Sequence, residues 1–154
     1  MLFRSFKEFV PAIPRYVPPV EGPQDPLTEK YPLQLTGWHT KRRCHSIHDN
    51  NQAMHKIDPQ MLWMNPVDAA ARNLQDGDLA EVYNDRGRIR MPVRVTDRIM
   101  PGVTAISQGA WYRPDENGTD TAGSINVLTS LHPTPYAQGN GQHTNLVEVT
   151  RYGL

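Results

Sequence analysis

The side chains of this chain best suited to binding chemistry lie in one short loop, from Gly37 to Ser46. Glycine lets the backbone approach a ligand closely, and the tryptophan that follows it offers a flat face for stacking. Imidazole, guanidinium and hydroxyl groups donate hydrogen bonds that suit a phosphate or a heteroaromatic ring. Donors of this kind are supplied by His39, Arg43, His45 and Ser46. For Lys41 and Arg42 we favour a simpler interpretation, solvated charges on a surface loop.

The same loop raises the question of a metal site. Its histidine and cysteine side chains do not have the paired spacing of structural zinc ligands. Cys44 is the only cysteine of the chain, so no second pair completes a tetrahedral site and no internal disulfide can form. We therefore predict no metal ligated by this chain.

Motifs for catalysis by the chain itself are missing from the sequence. It contains no Gly-x-Ser-x-Gly turn, no phosphate-loop lysine motif and no dinucleotide-binding glycine fingerprint. Asp76 and Asp78 could pass for paired carboxylates, but with Gly77 between them they favour a turn. The sequence thus favours binding without catalytic residues of its own.

A second polar group lies in the last third of the chain. Residues 123–130 and 138–145 crowd amides, hydroxyls and a histidine between glycines. Such groups are costly to bury without hydrogen-bond partners. Either they face water or a polar ligand satisfies them.

Short strands must position these loops. The apolar patterns predict strands at 33–36, 62–64, 79–84, 88–95, 103–106 and 146–149. Asn65-Pro66-Val67-Asp68 supplies a cap, a proline at the first helical position and a carboxylate in the first turn, which predicts a short helix ending near Leu74. Asp85-Arg86-Gly87 predicts a hairpin with glycine at positive φ. Pro92 lacks an N–H, so we expect the return strand to be an edge strand or bulged there.

Composition limits the remaining possibilities. The 154 residues suffice for one domain plus an extension, and the formal net charge of zero does not suggest a nucleic-acid surface. No apolar run reaches membrane-spanning length. Prolines recur every few residues between Pro11 and Pro32, which predicts an extended connector. We expect residues 1–30 to be a linker from a missing preceding domain and residues 31–154 to form the folded domain.

Five motifs in order resemble one family, the carboxy-terminal end of the catalytic subunit of respiratory dimethyl sulfoxide reductases, which depend on molybdopterin. Each motif alone has low specificity, but together they cover the chain from about Pro11 to its end. The motifs are Tyr31-Pro32-Leu33-Gln34-Leu35-Thr36-Gly37 with His45-Ser46, Met64-Asn65-Pro66-Val67-Asp68-Ala69 with Asp76-Gly77-Asp78, Gly109-Ala110-Trp111, Gly123 to Ser130, and Gly139-Asn140 with His143-Thr144-Asn145-Leu146-Val147.

The resemblance implies a mainly β fold with short helices, a double-psi β-barrel of the aspartate-decarboxylase-like kind. It also implies binding of the bis(molybdopterin guanine dinucleotide) molybdenum cofactor. By resemblance, the pterin and phosphate contacts fall on Thr36, His39, Arg43, His45, Ser46, Asn126, Gln142, His143 and Asn145. Asn65 and Asp68 match the Asn-Pro-x-Asp-Ala motif of the family. The resemblance implies a guanine contact for these residues; helix capping is the alternative role, and we favour it. Trp111 is expected in the wall of the substrate funnel, with core packing as the alternative.

In the intact enzyme the resemblance implies reduction of an S-oxide or N-oxide, with electrons arriving through iron–sulfur clusters. The cluster cysteines and the molybdenum ligand would lie in the missing amino-terminal part, so we predict that this chain alone is inactive. The implied partners are the other domains of the subunit, an iron–sulfur electron-transfer subunit and a membrane anchor subunit. The implied location is the periplasmic face of the bacterial cytoplasmic membrane.

Two alternatives keep the barrel but change the function. A self-processing decarboxylase-like enzyme would need cleavage at Gly123-Ser124, the only step of that kind. A protein-binding adaptor domain is the other alternative, although amides and histidines among glycines differ from the apolar and aromatic anchors of protein interfaces.

Overall fold

Six strands close into a barrel in a computed structural model that describes residues 13–134, 136–141 and 143–153. Around the barrel the strand order is β1-β5-β2-β4-β3-β6. The strands are β1 (Leu33–Trp38), β2 (Leu62–Met64), β3 (Leu79–Asn84), β4 (Gly87–Val95), β5 (Val103–Ser107) and β6 (Asn145–Arg151); the helices are α1 (Gln52–Ile57) and α2 (Pro66–Ala70), with 3-10 turns at Pro26–Glu29 and Ile125–Val127. The mainly β fold class expected from the resemblance, the double-psi β-barrel, is confirmed in this closed barrel with short helices.

Strand direction divides the connections between the two ends of the barrel. β1 is parallel to β5 and antiparallel to β6, β2 is antiparallel to β5 and parallel to β4, and β3 is antiparallel to both β4 and β6. β1, β3 and β5 therefore finish at one end, where β2, β4 and β6 begin. We call this the loop end, because it carries the connections 39–61, 85–86 and 108–144. The far end carries 65–78 and 96–102.

Alternation along the strands fills the barrel. In β4, Ile89, Met91 and Val93 are buried, while the arginines between and beside them face outward, as the sequence predicts. The same alternation buries Leu33 and Leu35 of β1. These side chains form one continuous apolar core with those of the other strands.

Three local expectations need correction. β4 has neighbours on both sides, so the edge strand, one of the two alternatives expected at Pro92, is wrong, although this residue does face outward between two buried ones. α2 ends at Ala70, before Leu74, and the chain turns through a left-handed Asn73. Gly87 does not have a positive φ. A side chain does not fit at this position, because a Cβ would lie 2.6 Å from Val127 Cγ1.

The segment before β1 is fastened to the barrel by a buried carboxylate. Glu21 accepts two hydrogen bonds from the Arg86 guanidinium, at 2.6 and 3.0 Å, and one from the Leu146 backbone at 2.8 Å. This contact fixes the approach of the proline-rich segment, whose role as an interdomain linker stays a prediction. No helix in the described part of the chain is both long enough and apolar enough to cross a membrane.

Candidate functional site

The loop end brings together most of the residues that the sequence singled out. His39, Arg43, His45 and Ser46 lie in connection 39–61, and Trp111, Asn126 and His143 lie in connection 108–144. Both connections lead from neighbouring strands, because β1 pairs with β5 on one side and with β6 on the other. Thr36 is half-buried near the end of β1, and the pairing of Leu35 with Asn145 places the start of β6 beside it.

Arg43 ties the first loop to the barrel. Its guanidinium forms an ion pair with Asp49, and both side chains are almost fully buried. Arg43 Nη2 also donates to Gln60 Oε1 at 2.7 Å, to Ser107 Oγ at 2.9 Å and to the Gln108 carbonyl at 3.0 Å. Most N–H donors of Arg43 are thus used within the protein. Its contact with a phosphate stays a prediction, and Nε would be the donor.

Asp49 joins this loop to the second one. The second carboxylate oxygen of Asp49 accepts a hydrogen bond from the Trp111 backbone N–H at 2.7 Å. The backbone carbonyl oxygen of Asp49 lies 2.5 Å from His55 Nε2. The indole N–H of Trp111 donates to the Ser46 carbonyl at 2.9 Å, which leaves the ring half-exposed at the surface. The exposed indole is therefore held by both its backbone and its ring nitrogen, and its place in a substrate funnel stays a prediction.

Gly109 permits the closest approach between the two loops. It has a φ of +92°, and a Cβ there would overlap the His45 carbonyl oxygen. His45 itself adopts a left-handed backbone with φ of +52°, and its ring packs edge-on against His39 at 5.3 Å between centroids. The two histidines are exposed and held side by side at the loop end.

The loop end contains buried N–H donors without acceptors. Trp38 Nε1, Arg43 Nε and Gln108 Nε2 are buried and have no hydrogen-bond partner among the described residues. Buried donors of this kind are rare in native proteins unless a ligand or water completes them. Together with the exposed imidazoles, they fit an anionic ligand rich in acceptor atoms, as a pterin dinucleotide is. Within the described ranges, no cluster of three or more His, Cys, Asp or Glu side chains could hold a metal ion.

The tail residues have different surroundings. Asn145 is fully buried; its side chain accepts from the Ser130 backbone at 2.9 Å and donates to the Gly141 carbonyl at 3.4 Å, so it shapes the returning loop. Asn126 and His143 are exposed. Gln142 lies outside the described residues.

Asn65 and Asp68 lie at the far end, apart from the other predicted contacts. The Asn65 side chain accepts from the Val67 backbone at 2.9 Å and donates to the Ile99 carbonyl at 2.7 Å, which confirms the predicted helix cap. Asp68 accepts from the Gly102 backbone at 2.8 Å. A guanine contact for either residue stays a prediction.

Sequence reasoning missed the residues that hold the loops. Asp49, Gln60, Ser107 and Gln108 are buried or partly buried, and their contacts join connection 39–61 to β5 and to connection 108–144. Polar residues in polar loops have no periodicity that would mark them as buried. Only the position of Ser107 at the end of an apolar strand, with Gln108 directly after it, could have drawn attention to them.

The chain matches known proteins over most of its length. Residues 33–146 match the family model described as "Molydopterin dinucleotide binding domain". The chain is 53% identical over 127 residues to dimethyl sulfoxide reductase DmsA of Haemophilus influenzae, covering 82% of this chain and 16% of that protein. It is 46% identical over 144 residues to DmsA of Escherichia coli K12, covering 94% of this chain and 18% of that protein.

More distant proteins share the fold. The dimethyl sulfoxide/trimethylamine N-oxide reductase of Rhodobacter capsulatus is 40% identical over 152 residues, covering 92% of this chain and 18% of that protein. Among solved structures, acetylene hydratase from Pelobacter acetylenicus superposes with a TM-score of 0.73 at 17% identity, covering 90% of this chain and 21% of its own. That structural likeness establishes the barrel. The chain spans 16% to 18% of the length of the three curated reductases named above.

Proposed function

The chain belongs to the family of molydopterin dinucleotide binding domains, and on this premise we propose that its loop end binds the bis(molybdopterin guanine dinucleotide) molybdenum cofactor. The domain would be the carboxy-terminal part of an anaerobic respiratory oxidoreductase that reduces S-oxides or N-oxides such as dimethyl sulfoxide. The names of the curated relatives support this reaction class.

The observation that carries the proposal is the meeting of two polar loops around unpartnered donors. Connections 39–61 and 108–144 touch at Gly109 and His45, and buried N–H groups that find no acceptor among the described residues lie in the same region. A dinucleotide brings phosphate oxygens and heterocycle acceptors that such donors recognise.

The residues of the loop end would divide the work of holding the cofactor. The exposed donors of His39, His45 and Ser46 suit pyrophosphate oxygens, because charged or ring N–H donors form short directional bonds with them. Thr36, Asn126, His143 and Gln142 suit the pterin edges. When bound, the molybdenum centre supplies the two-electron chemistry of oxygen removal, and the protein fixes its orientation and electronics.

Trp111 would form one wall of the approach to the metal. The indole is fixed by the Ser46 carbonyl and by Asp49 while half of it stays exposed. A rigid aromatic face of this kind can exclude water from a small polar substrate without forming hydrogen bonds to it.

The same premise suggests the partners and the location. Because the chain spans 16% to 18% of its relatives, the remaining domains of the same subunit are the first partners that we propose. An iron–sulfur electron-transfer subunit, a membrane anchor subunit and the periplasmic face of the cytoplasmic membrane complete the proposal. The chain alone would be inactive, since the molybdenum ligand and cluster cysteines belong to the rest of the subunit.

A hybrid reductase tests the cofactor role. The matching segment of Escherichia coli DmsA is replaced by this chain, and the purified hybrid is assayed for molybdenum and for guanine nucleotide released by acid. We expect the molybdenum content of the parent reductase. A folded hybrid without molybdenum would refute the proposal.

The isolated chain provides the complementary assay. With reduced viologen and dimethyl sulfoxide it should show no turnover, whereas the hybrid should oxidise viologen. Measurable turnover by the isolated chain would contradict the proposed division of labour.

The intact mass of the chain tests the self-processing alternative. We expect the uncut 17.4 kDa chain, and two fragments produced by cleavage between Gly123 and Ser124 would favour that alternative.

A further inference from the structure

Gln108 combines a fixed backbone with an unsatisfied side chain. It follows β5 directly and is 7% exposed, and its side-chain nitrogen has no hydrogen-bond partner in the described parts of the chain. Its backbone N–H donates to the Trp38 carbonyl at 2.9 Å, and its carbonyl accepts from Arg43 at 3.0 Å. The backbone of Gln108 is therefore pinned at the loop end, and little of the residue is exposed to water.

The side-chain amide of Gln108 packs against Gly37. A Cβ at Gly37 would lie 3.1 Å from both Cγ and Nε2 of Gln108, and 3.3 Å from Ile125 Cδ1. Glycine at this point of β1 thus leaves the space that the glutamine side chain fills. The amide lies between the end of β1 and Ile125, which precedes the predicted contact Asn126.

The other unpartnered donors of the loop end have different surroundings. Trp38 packs against Trp63, with 5.0 Å between ring centroids, and Trp63 alternates with buried residues of β2, which places this pair on the outer face of the barrel. Arg43 Nε belongs to a guanidinium already held by Asp49 and Gln60. Gln108 alone among the three is a neutral amide packed between Gly37 and Ile125.

A buried N–H without an acceptor is destabilising, and removal of such a group usually has no cost for the folded state. Its presence at a candidate binding site therefore points to a ligand acceptor. A carboxamide carries donors and an acceptor on one plane, which complements the mixed donor and acceptor edge of a fused heterocycle.

We propose that the side-chain amide of Gln108 is a contact of the bound dinucleotide, donating from Nε2 to an acceptor atom of its heterocycle. This inference rests on the proposed function, because it requires the cofactor to occupy the loop end. It adds a binding residue that neither the sequence motifs nor the resemblance indicated.

The test uses the hybrid reductase described above with Gln108→Leu and Gln108→Glu. Leucine removes both polar atoms and is one bond shorter, and glutamate keeps the shape while it removes the donors. Gln75→Leu, on the exposed far-end connection, is the matched control. We measure the half-time of molybdenum release in dilute guanidinium chloride and the melting temperature of each 154-residue chain without cofactor.

We expect both Gln108 variants to release molybdenum about tenfold faster than the hybrid and the control, as for one lost hydrogen bond to a ligand. The cofactor-free Gln108→Leu chain should melt at the same or a higher temperature, because no protein partner is lost. Unchanged release from both variants would overturn the inference while leaving the proposed function intact. A lower melting temperature with unchanged release would assign Gln108 a structural role, and an unsubstituted hybrid without molybdenum would overturn both proposals.

Discussion

Replacement of Asp49 by alanine should destabilise the domain more than any surface substitution. Asp49 is 2% exposed and neutralises the Arg43 guanidinium, which is nearly as buried. Its second oxygen accepts the Trp111 backbone N–H at 2.7 Å. The variant therefore leaves a buried positive charge and a backbone donor without their acceptor.

The magnitude follows from the burial of both partners. Removal of one member of a buried ion pair costs about 3–5 kcal/mol, because the remaining charge stays desolvated. In a domain of this size, such a loss lowers the melting temperature by about 10 °C. The hydrogen bonds that Arg43 keeps with Gln60 and Ser107 compensate little for the lost carboxylate, since neutral acceptors do not cancel the charge of the guanidinium.

Guanidinium chloride unfolding of the 154-residue chain, followed by tryptophan fluorescence, gives the free energy of unfolding. The double variant Asp49→Ala with Arg43→Met should be more stable than Asp49→Ala alone, because the uncompensated charge is gone. Arg94→Ala is the control: Arg94 and Asp76 lie 3.6 Å apart and are at least half exposed, so the loss should be below about 1 kcal/mol.

Two outcomes would refute this reasoning. A loss for Asp49→Ala no larger than that of the control would mean that the Arg43 charge is not desolvated in the folded chain. A double variant less stable than the single one would mean that Arg43 stabilises the loop independently of the carboxylate.

Three further perturbations have defined outcomes. Gly109→Ala should lower the melting temperature and displace the facing loop, because its Cβ overlaps a backbone oxygen at positive φ; an unchanged melt would contradict that contact. Glu21→Gln removes the charge that receives Arg86, so limited proteolysis should cut residues 13–30 faster, and an unchanged cleavage rate would mean that the segment is held otherwise. The pKa of Asp85 lies below its ordinary value, chiefly because the Lys30 ammonium donates to it. The small stability that this pair provides is therefore present at neutral pH and lost as the pH falls through the lowered pKa of Asp85. In the Lys30→Met variant, NMR titration should find the pKa of Asp85 raised. An unchanged pKa would mean that Lys30 does not lower it.

Local patterns predicted the elements better than their assembly. The alternation of Ile89, Met91 and Val93 fixed one buried face of β4, and Asn65-Pro66 predicted the start of α2, because both depend on near neighbours in sequence. The neighbours of β4 depend on barrel closure, which no local pattern encodes, so the edge-strand alternative at Pro92 was wrong.

The candidate site shows the same division. Residue types alone indicated the donor-rich segment from Gly37 to Ser46, and strand direction places it beside the returning tail. The contacts of Asp49 and Gln108 depend on how residues 62 and 65 positions apart in the chain pack together. Such long-range polar contacts leave no periodic trace in the sequence.

Hydrogen exchange of the hybrid reductase, with and without the molybdenum cofactor, tests the central claim most directly. The account predicts slower exchange on cofactor binding in segments 37–51 and 107–111 of the loop end, and little change in 71–78 and 96–102 of the far end. Cofactor-dependent protection confined to the far end, or none at the loop end, would contradict it.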